Sequence, residues 1–380
     1  MNQTSEVVIC GAGIAGVATA YYLAVAHGVT NLLLIDKHAP LSQTTAKSGE
    51  NYRNWWPNPH MVHFISRSLD LMDELAASTN NLFQMKRRGY LYATATPDAA
   101  VLLDSLTSRY AKLNVGPIRI HHHVENGYLD SLQPAPTSPK PFRDGADILL
   151  HPALIREAFP HLSPALTMLM HVRRAGDISV QQLGAHLLAQ ARARGAQVLT
   201  GEVTGIRLDA QGVAGVHVQT KEGLRRVATR RFVNAAGPFA AHVLKMLGAE
   251  LPIHTVFQQK IAMQDPLGVV PRTRSFTIFL DEQILTWRRG ARLLAVRPRI
   301  RTSAGQLSGR SARAPRRQRR QHVAQIGLGL AANRAPPNGR RRSRLNFPKL
   351  WCAAPRDSCR GWRPIGLSCP RPLCITAAIM

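Results

Sequence analysis

The chain has 380 residues, 45% of them hydrophobic, with 49 Lys or Arg against 22 Asp or Glu and a formal net charge of +27. That is apolar material for a large core and about two domains, and it excludes wholesale disorder. So strong a basic excess would point to nucleic acid if it were spread along the chain.

It is not spread. Residues 1–287 hold 27 basic and 21 acidic residues, a net of +6, while residues 288–380 hold 21 Arg, one Lys and the single acid Asp357, a net of +21. Cysteine breaks at the same place: Cys10 stands alone early, and Cys352, Cys359, Cys369 and Cys374 crowd the end. The sequence reads as two texts joined near Trp287.

The first text opens on Glu6–Cys10, a short β-branched run that leads into Gly11-Ala12-Gly13-Ile14-Ala15-Gly16. A helical pattern follows from Ile14 to about Ala26, then a second apolar strand, Asn31–Ile35, ending at Asp36. Strand, glycine turn, helix, strand and acid within about 30 residues are the dinucleotide-binding fingerprint. Gly11 permits the tight turn, Gly13 lets backbone approach a pyrophosphate, and Gly16 lets helix pack on strand. The helix N-terminus offers free N–H groups and partial positive charge to phosphate. Asp36 can accept from ribose hydroxyls. The same apolar stretch, residues 7–29, also suits an exported leader or membrane span, but the preceding MNQTSE has no Lys or Arg and no cleavage site follows; no membrane and a cytoplasmic location are expected.

Leu41–Pro57 reads as a loop and Met61–Ala77 as an amphipathic helix with Phe64, Leu69, Leu71, Met72 and Leu75 as apolar positions. Gly89–Tyr92 reads as a strand. Pro117–Pro141 is a polar excursion, and its His121-His122-His123 run lacks the i, i+4 spacing of a metal site, so no metal is expected. Asp177 is the expected N-cap of a helix from Ser179 to Arg194, closed by Gly195. Gln197–Leu199, Glu202–Arg207 and Val213–Gln219 read as strands. Arg231–Asn234 enters Ala235-Ala236-Gly237-Pro238 and a helix from about Phe239 to Leu247, a second strand, small-residue turn and helix. That turn serves either close approach to a ligand or tight packing.

These pieces in this order resemble the FAD-dependent oxidoreductases of the D-amino-acid oxidase type, which include glycine, sarcosine and dimethylglycine oxidising enzymes. The text that carries the resemblance is VVICGAGIAGVATAYYL, TTAKSGENYRNWWP, RGYLYAT, AGDISVQQLGAHLLAQARARGAQVLTGEVTGI and FVNAAGPFAAHVLKMLGAELP; it fades after FLDEQILTW at 279–287. It implies an α/β fold: an FAD-binding Rossmann-like domain (1–80 and 171–250) with an interleaved α+β substrate domain (81–170 and 251–287). It implies that Gly11, Gly13, Ile14 and Gly16 cradle the FAD pyrophosphate and that Asp36 holds the adenosine ribose. Thr45, Ser48 and Gly49 then serve the phosphates and flavin, Val203 meets the adenine, and Ala236 and Gly237 approach the dinucleotide. The implied activity is hydride transfer from a carbon next to an amine nitrogen onto the flavin, with oxygen or another acceptor taking the electrons. Substrate would be a small amine or amino acid. Its carboxylate calls for a cation, and Arg53 is the candidate, with a structural ion pair as its alternative role; Lys260 comes second.

Beyond Trp287 the resemblance stops. Residues 288–380 carry nine prolines and no lasting period apart from the run Ile326–Ala332, and disorder is expected. An arginine-rich nucleic-acid tail accounts for the charge alone. The cysteine spacing contains no CxxC for zinc. A shifted reading frame accounts for most: every Asp and Glu codon begins with GA, so reading a GC-rich gene out of frame removes acids and creates Arg, Gly, Pro and Cys together. On that reading the closing part of the substrate domain is lost, with weak or no activity expected, and nucleic acid is not an expected partner. A nicotinamide dehydrogenase using the same glycine turn is the other rival.

Overall fold

The computed structural model describes residues 2–122 and 144–250, most of 252–281, and the short strands Ala324–Gln325 and Ile375–Ile379. The remaining arginine-rich segment lies outside the described residues. So do the readings made for it: disorder, the run Ile326–Ala332, the four late cysteines and the shifted frame.

A four-stranded parallel sheet comes first. Its order is Gln197–Thr200, Leu32–Asp36, Val7–Cys10 and Arg231–Asn234. The two central strands are apolar throughout because both faces are covered. Val7, Ile9, Leu32 and Leu34 face one core, with the helices Ile14–Tyr21 and Val180–Ala193. Val8, Cys10, Leu33 and Ile35 face the other, with Val203, Val216, Val218 and Val227. Each fully buried Leu or Ile here contributes about 1.5–3 kcal/mol.

The second core is roofed by an antiparallel meander, Glu202–Asp209, Gly212–Thr220 and Gly223–Ala228, with Asn2–Thr4 added in parallel at its edge. The chain enters it directly from Gln197–Thr200 and returns to the parallel sheet at Arg231. A nicotinamide domain would instead continue with further parallel strand–helix units.

The second sheet is mixed: Phe276–Phe279, Tyr90–Thr94, Met168–Val172, Ala146–Leu149 and Ile118–His121 lie side by side, with Ala324–Gln325 beyond Phe276–Phe279. Alternation again sorts its faces. Tyr90, Ile148, Met168, Met170 and Ile278 pack with the helix Ala99–Tyr110 and Trp55, while Leu91, Ala93, Leu149 and Leu169 pack with the helix Pro152–Ala158 and Phe159.

Several elements depart from the sequence reading. Leu41–Pro57 is not all loop: it holds the short helix Thr44–Lys47 and the strand Asn51–Arg53, which pairs antiparallel with Ala175–Asp177. Because Asp177 is committed to that strand, the helix cap falls to Ser179, whose hydroxyl accepts from the Gln182 N–H. The glycine-turn helix widens into π-type turns over Tyr22–Ala26 before Gly28. The helix read as Met61–Ala77 spans Pro59–Ser78, capped by Asn58; Leu69 is buried in it, but Phe64 is 64% exposed. Ile118–His121 opens the stretch read as a polar excursion and is the edge strand of the second sheet, one of the two places, solvated loop or strand edge, that suit the histidine run; residues 123–141 lie outside the described residues.

Candidate functional site

The site begins where Val7–Cys10 ends. Gly11 has φ +106°, and a Cβ on it would lie 2.3 Å from the Ala235 carbonyl oxygen. A Cβ on Gly16 would lie 1.9 Å from the Gly11 oxygen. Both are glycine because the fold closes on them. Gly13 differs. Its φ of −72° suits any residue, and among the described residues a Cβ there would meet only Thr45 Oγ1, at the ordinary contact distance of 3.4 Å. Packing does not require glycine at 13, so the fold leaves that position clear over the start of the helix. No acid stands in the first helical turn, and the Asp36 carboxylate bonds the Ala12 N–H just ahead of it. The Ile14 N–H donates to Thr45 Oγ1 at 3.0 Å, which ties the helix Thr44–Lys47 to the turn.

Asp36 lies beside the turn. Its Oδ2 accepts from the Ala12 N–H at 2.8 Å and its Oδ1 from the His38 N–H at 2.9 Å. Part of the acceptor capacity assigned to ribose is thus spent on backbone. A carboxylate offers about four lone-pair positions, so each oxygen keeps one more. The Asp36 carbonyl accepts from the Gly201 N–H at 2.9 Å, which brings Glu202 and Val203 alongside. Lys37 bridges to Glu202 at 3.1 Å and lies 5.5 Å over the Phe239 ring. On the other flank the Ala235 N–H donates to the Cys10 carbonyl, and the Ala236 N–H to Asn234 Oδ1. Gly237 has φ +54°. Burial, then the negative charges of Asp36 and Glu202, push the Cys10 thiol up to about 12, so it is an inert core group. Gly11, Gly13, Ile14, Gly16, Asp36, Val203, Ala236 and Gly237 therefore gather at the carboxyl end of the parallel sheet, where ligands bind in open α/β folds.

From Thr45 the chain runs through Ser48, whose hydroxyl donates to the Thr45 carbonyl and accepts from the Glu50 N–H, and through Gly49, whose carbonyl accepts from Asn51 Nδ2. The strand Asn51–Arg53 then carries Arg53 to the second sheet. Its guanidinium carbon lies 4.5 Å from the Trp56 ring centroid and 5.2 Å from that of Tyr90. Its Nε is buried without a hydrogen-bond partner, and among the described residues no carboxylate lies within ion-pair reach of it. Lys260 lies in the strand Phe257–Ile261.

Aromatic residues given no role in the sequence reading complete this second centre. Trp55 is buried and stacks on Tyr110 at 4.2 Å, Tyr90 contacts Tyr92 at 5.5 Å and Phe276 at 4.9 Å, and the Trp56 Nε1–H donates to the Arg53 carbonyl at 3.0 Å. Burial pushes the Tyr90, Tyr92 and Tyr110 phenols up, with the Arg53 charge offsetting part of the rise and an Arg53 hydrogen bond to the Tyr92 oxygen adding to that offset, so they stay protonated. The signal that could have found them is Tyr90 and Tyr92, two apart on a strand and so on one face, beside a paired tryptophan.

A buried ionic network braces the neighbouring strands. Asp147 is 1% exposed and is held by Arg119 (2.7 Å), His121 (2.9 Å) and Arg173. Burial raises its carboxyl, but the bonds from Arg119 and the Arg173 and His121 contacts outweigh that and hold it well below the usual carboxylate range. Among the described residues no group of three His, Cys, Asp or Glu could hold a metal, and no helix is long and apolar enough to cross a membrane.

Comparison with known proteins follows the same lines. A family model described as "FAD dependent oxidoreductase" matches residues 6–326, a span that runs past Trp287 into the arginine-rich segment. Human mitochondrial dimethylglycine dehydrogenase is 26% identical over 282 residues, covering 74% of this chain and 28% of that one. The sarcosine oxidase subunit beta of Rhizobium meliloti (strain 1021) is 27% identical over 259 residues, covering 66% of this chain and 53% of its own. The chain thus spans between about a quarter and about half the length of these relatives. Among solved structures, L-proline dehydrogenase from P. horikoshii superposes with a TM-score of 0.56 at 20% identity, over 73% of this chain and 65% of that one. Glycine oxidase from Geobacillus kaustophilus gives 0.56 at 19% identity, over 73% and 66%. These last two share the fold.

Proposed function

We propose that this chain, which belongs to the FAD dependent oxidoreductase family, oxidises an amino acid or an N-methylated amino acid at the carbon next to its nitrogen. Gly11, Gly13, Ile14 and Gly16 hold the FAD pyrophosphate against the helix N-terminus, and Asp36 takes the adenosine ribose with its remaining lone pairs. Val203 meets the adenine; Thr45, Ser48 and Gly49 line the way to the flavin; Ala236 and Gly237 keep backbone close. The residues present fit the group, since the space over Gly13 is kept clear without the fold requiring it. When bound, FAD supplies the hydride acceptor.

The observation that carries the substrate assignment is Arg53. It is a permanent cation, unpaired by any carboxylate among the described residues, and it stands at the end of the segment that leaves the glycine turn. It binds the substrate carboxylate and so fixes which carbon faces the flavin. The tyrosines around it stay protonated and exclude water. An amine that enters neutral needs no general base. Oxygen is the proposed electron acceptor. The names of the relatives, which act on dimethylglycine, sarcosine, proline and glycine, support an amine next to a carboxylate.

The test is anaerobic mixing of the FAD-loaded full chain with glycine, proline, sarcosine and N,N-dimethylglycine in turn. Bleaching of the visible flavin band by at least one is expected, and it would overturn the weak or absent activity that a shifted frame after Trp287 implies. No bleaching by any of the four contradicts the reading.

A further inference from the structure

Three of the four buried side-chain polar atoms without partners among the described residues stand on consecutive residues: Arg53 Nε, Asn54 Oδ1 and Trp55 Nε1. A buried donor left unpaired costs about 1–3 kcal/mol, and native folds rarely keep one without a use. Trp55 is 3% exposed, and its indole N–H can only donate. Whatever completes it must be an acceptor.

Its position narrows the acceptor. The Trp55 ring stacks on Tyr110 at 4.2 Å with planes 20° apart, and Trp55, Tyr90 and Tyr110 share one packed cluster. Arg53 lies over Tyr90 in that cluster, and its charge is felt at the Tyr110 phenol. The orphaned indole and the orphaned guanidinium nitrogen thus belong to one aromatic wall. Trp56 is not equivalent, because its N–H already donates to the Arg53 carbonyl.

We propose that Trp55 is a specificity-determining residue that donates its indole N–H to the substrate carboxylate beside Arg53, so that the wall accepts carboxylates and rejects the corresponding amides. This rests on the carboxylate-binding role of Arg53. Two donors suit a carboxylate, which has only acceptors. A primary amide is neutral and offers one acceptor oxygen where the carboxylate offers two, so even with its N–H2 turned to the unpaired Asn54 Oδ1 it forms the weaker bond to these donors.

The probes are acetate and acetamide, which the enzyme cannot oxidise, titrated into the FAD-loaded full chain and read from the visible flavin spectrum. Acetate should bind more tightly than acetamide. Trp55→Phe keeps an aromatic ring against Tyr110 and loses the N–H; it should cut that preference roughly 10-fold while leaving FAD affinity unchanged. Arg53→Lys should also cut it. A preference unchanged in Trp55→Phe but reduced in Arg53→Lys overturns the role of Trp55 and leaves that of Arg53 standing. No preference in the unmodified chain overturns both. Should Trp55→Phe fail to fold, 15N-indole labelling of the unmodified chain decides: one of the five tryptophan N–H signals should move with acetate and stay with acetamide, and no movement overturns the proposal.

Discussion

In the function proposed for this chain, the two ends of the segment Thr44–Arg53 recognise in different ways. At the glycine turn, recognition is a property of backbone: Gly11 and Gly16 are glycine because main chain closes on them, and Gly13 keeps a position clear. Around Arg53 it is a property of side chains drawn from three distant elements, Trp55 and Trp56 after one strand, Tyr90 and Tyr92 on another, and Tyr110 at the end of a helix. The turn spends the charge of Asp36 partly on its own N–H groups. The aromatic wall leaves the charge of Arg53 without a counter-ion among the described residues. A site for an invariant cofactor can be built into the chain path. A site that selects among small amines needs groups that change without disturbing the path.

Variants should separate the two. Asp147→Ala should have the largest effect, about 3–5 kcal/mol by urea denaturation, because it leaves Arg173 buried without its carboxylate and loosens the strands beside Asn54. A loss below 1 kcal/mol would mean the wall does not depend on that network. Gly11→Ala should cost about 3 kcal/mol through strain at φ +106° and collision with Ala235, and the purified protein should lack flavin. Arg53→Lys should keep flavin and stability but raise KM for a carboxylate amine roughly 10- to 100-fold, since Lys offers no planar fork to stack or bind bidentately. Loss of flavin from Arg53→Lys would break the division of labour.

The smallest effect is the pH dependence just below neutrality. His171 is buried, hydrogen-bonded through Nε2 to the Arg88 carbonyl, and depressed to about 3 chiefly by burial, then by the Arg173 charge. The unfolded chain takes up this proton near 6.5 and the folded chain does not. The contribution is therefore complete above pH 6.5 and falls as pH drops toward 3, by roughly 0.7 kcal/mol between pH 7 and 6. The lowered carboxyl of Asp147 adds a further loss below about pH 4. His171→Gln should flatten the first slope and keep the second. A stability profile flat from pH 7 to 4 in the unmodified chain contradicts the burial of a neutral His171.

How much of this could be read from sequence follows the same division. The strand, glycine turn and acid of residues 6–36 were readable because Gly11 and Gly16 answer to a local backbone need and Gly13 completes their spacing, and the apolar runs of the parallel sheet stand out because both faces are buried. Gly223–Ala228, the third strand of the meander, was not, since it shows exposed Leu224, Arg225 and Arg226 and buries little more than Val227. Asp177 looked like a cap as convincingly as Ser179; only the pairing of Ala175–Asp177 with Asn51–Arg53 decides between them. Phe64 fits a helical stripe but falls outside the packed face. Arg53 was visible as a cation in the right text. Its wall was not, because Tyr90, Tyr92 and Tyr110 reach it only through tertiary packing.

The central claim is that Gly13 is kept for a dinucleotide and not for packing, and Gly13→Ala tests it most directly. Its φ of −72° and its single ordinary contact with Thr45 mean that the fold tolerates a methyl group there. The account predicts an unchanged melting temperature for the flavin-free protein together with a FAD affinity reduced at least 10-fold, read by quenching of flavin fluorescence on titration. Unchanged FAD affinity with a lowered melting temperature would contradict it.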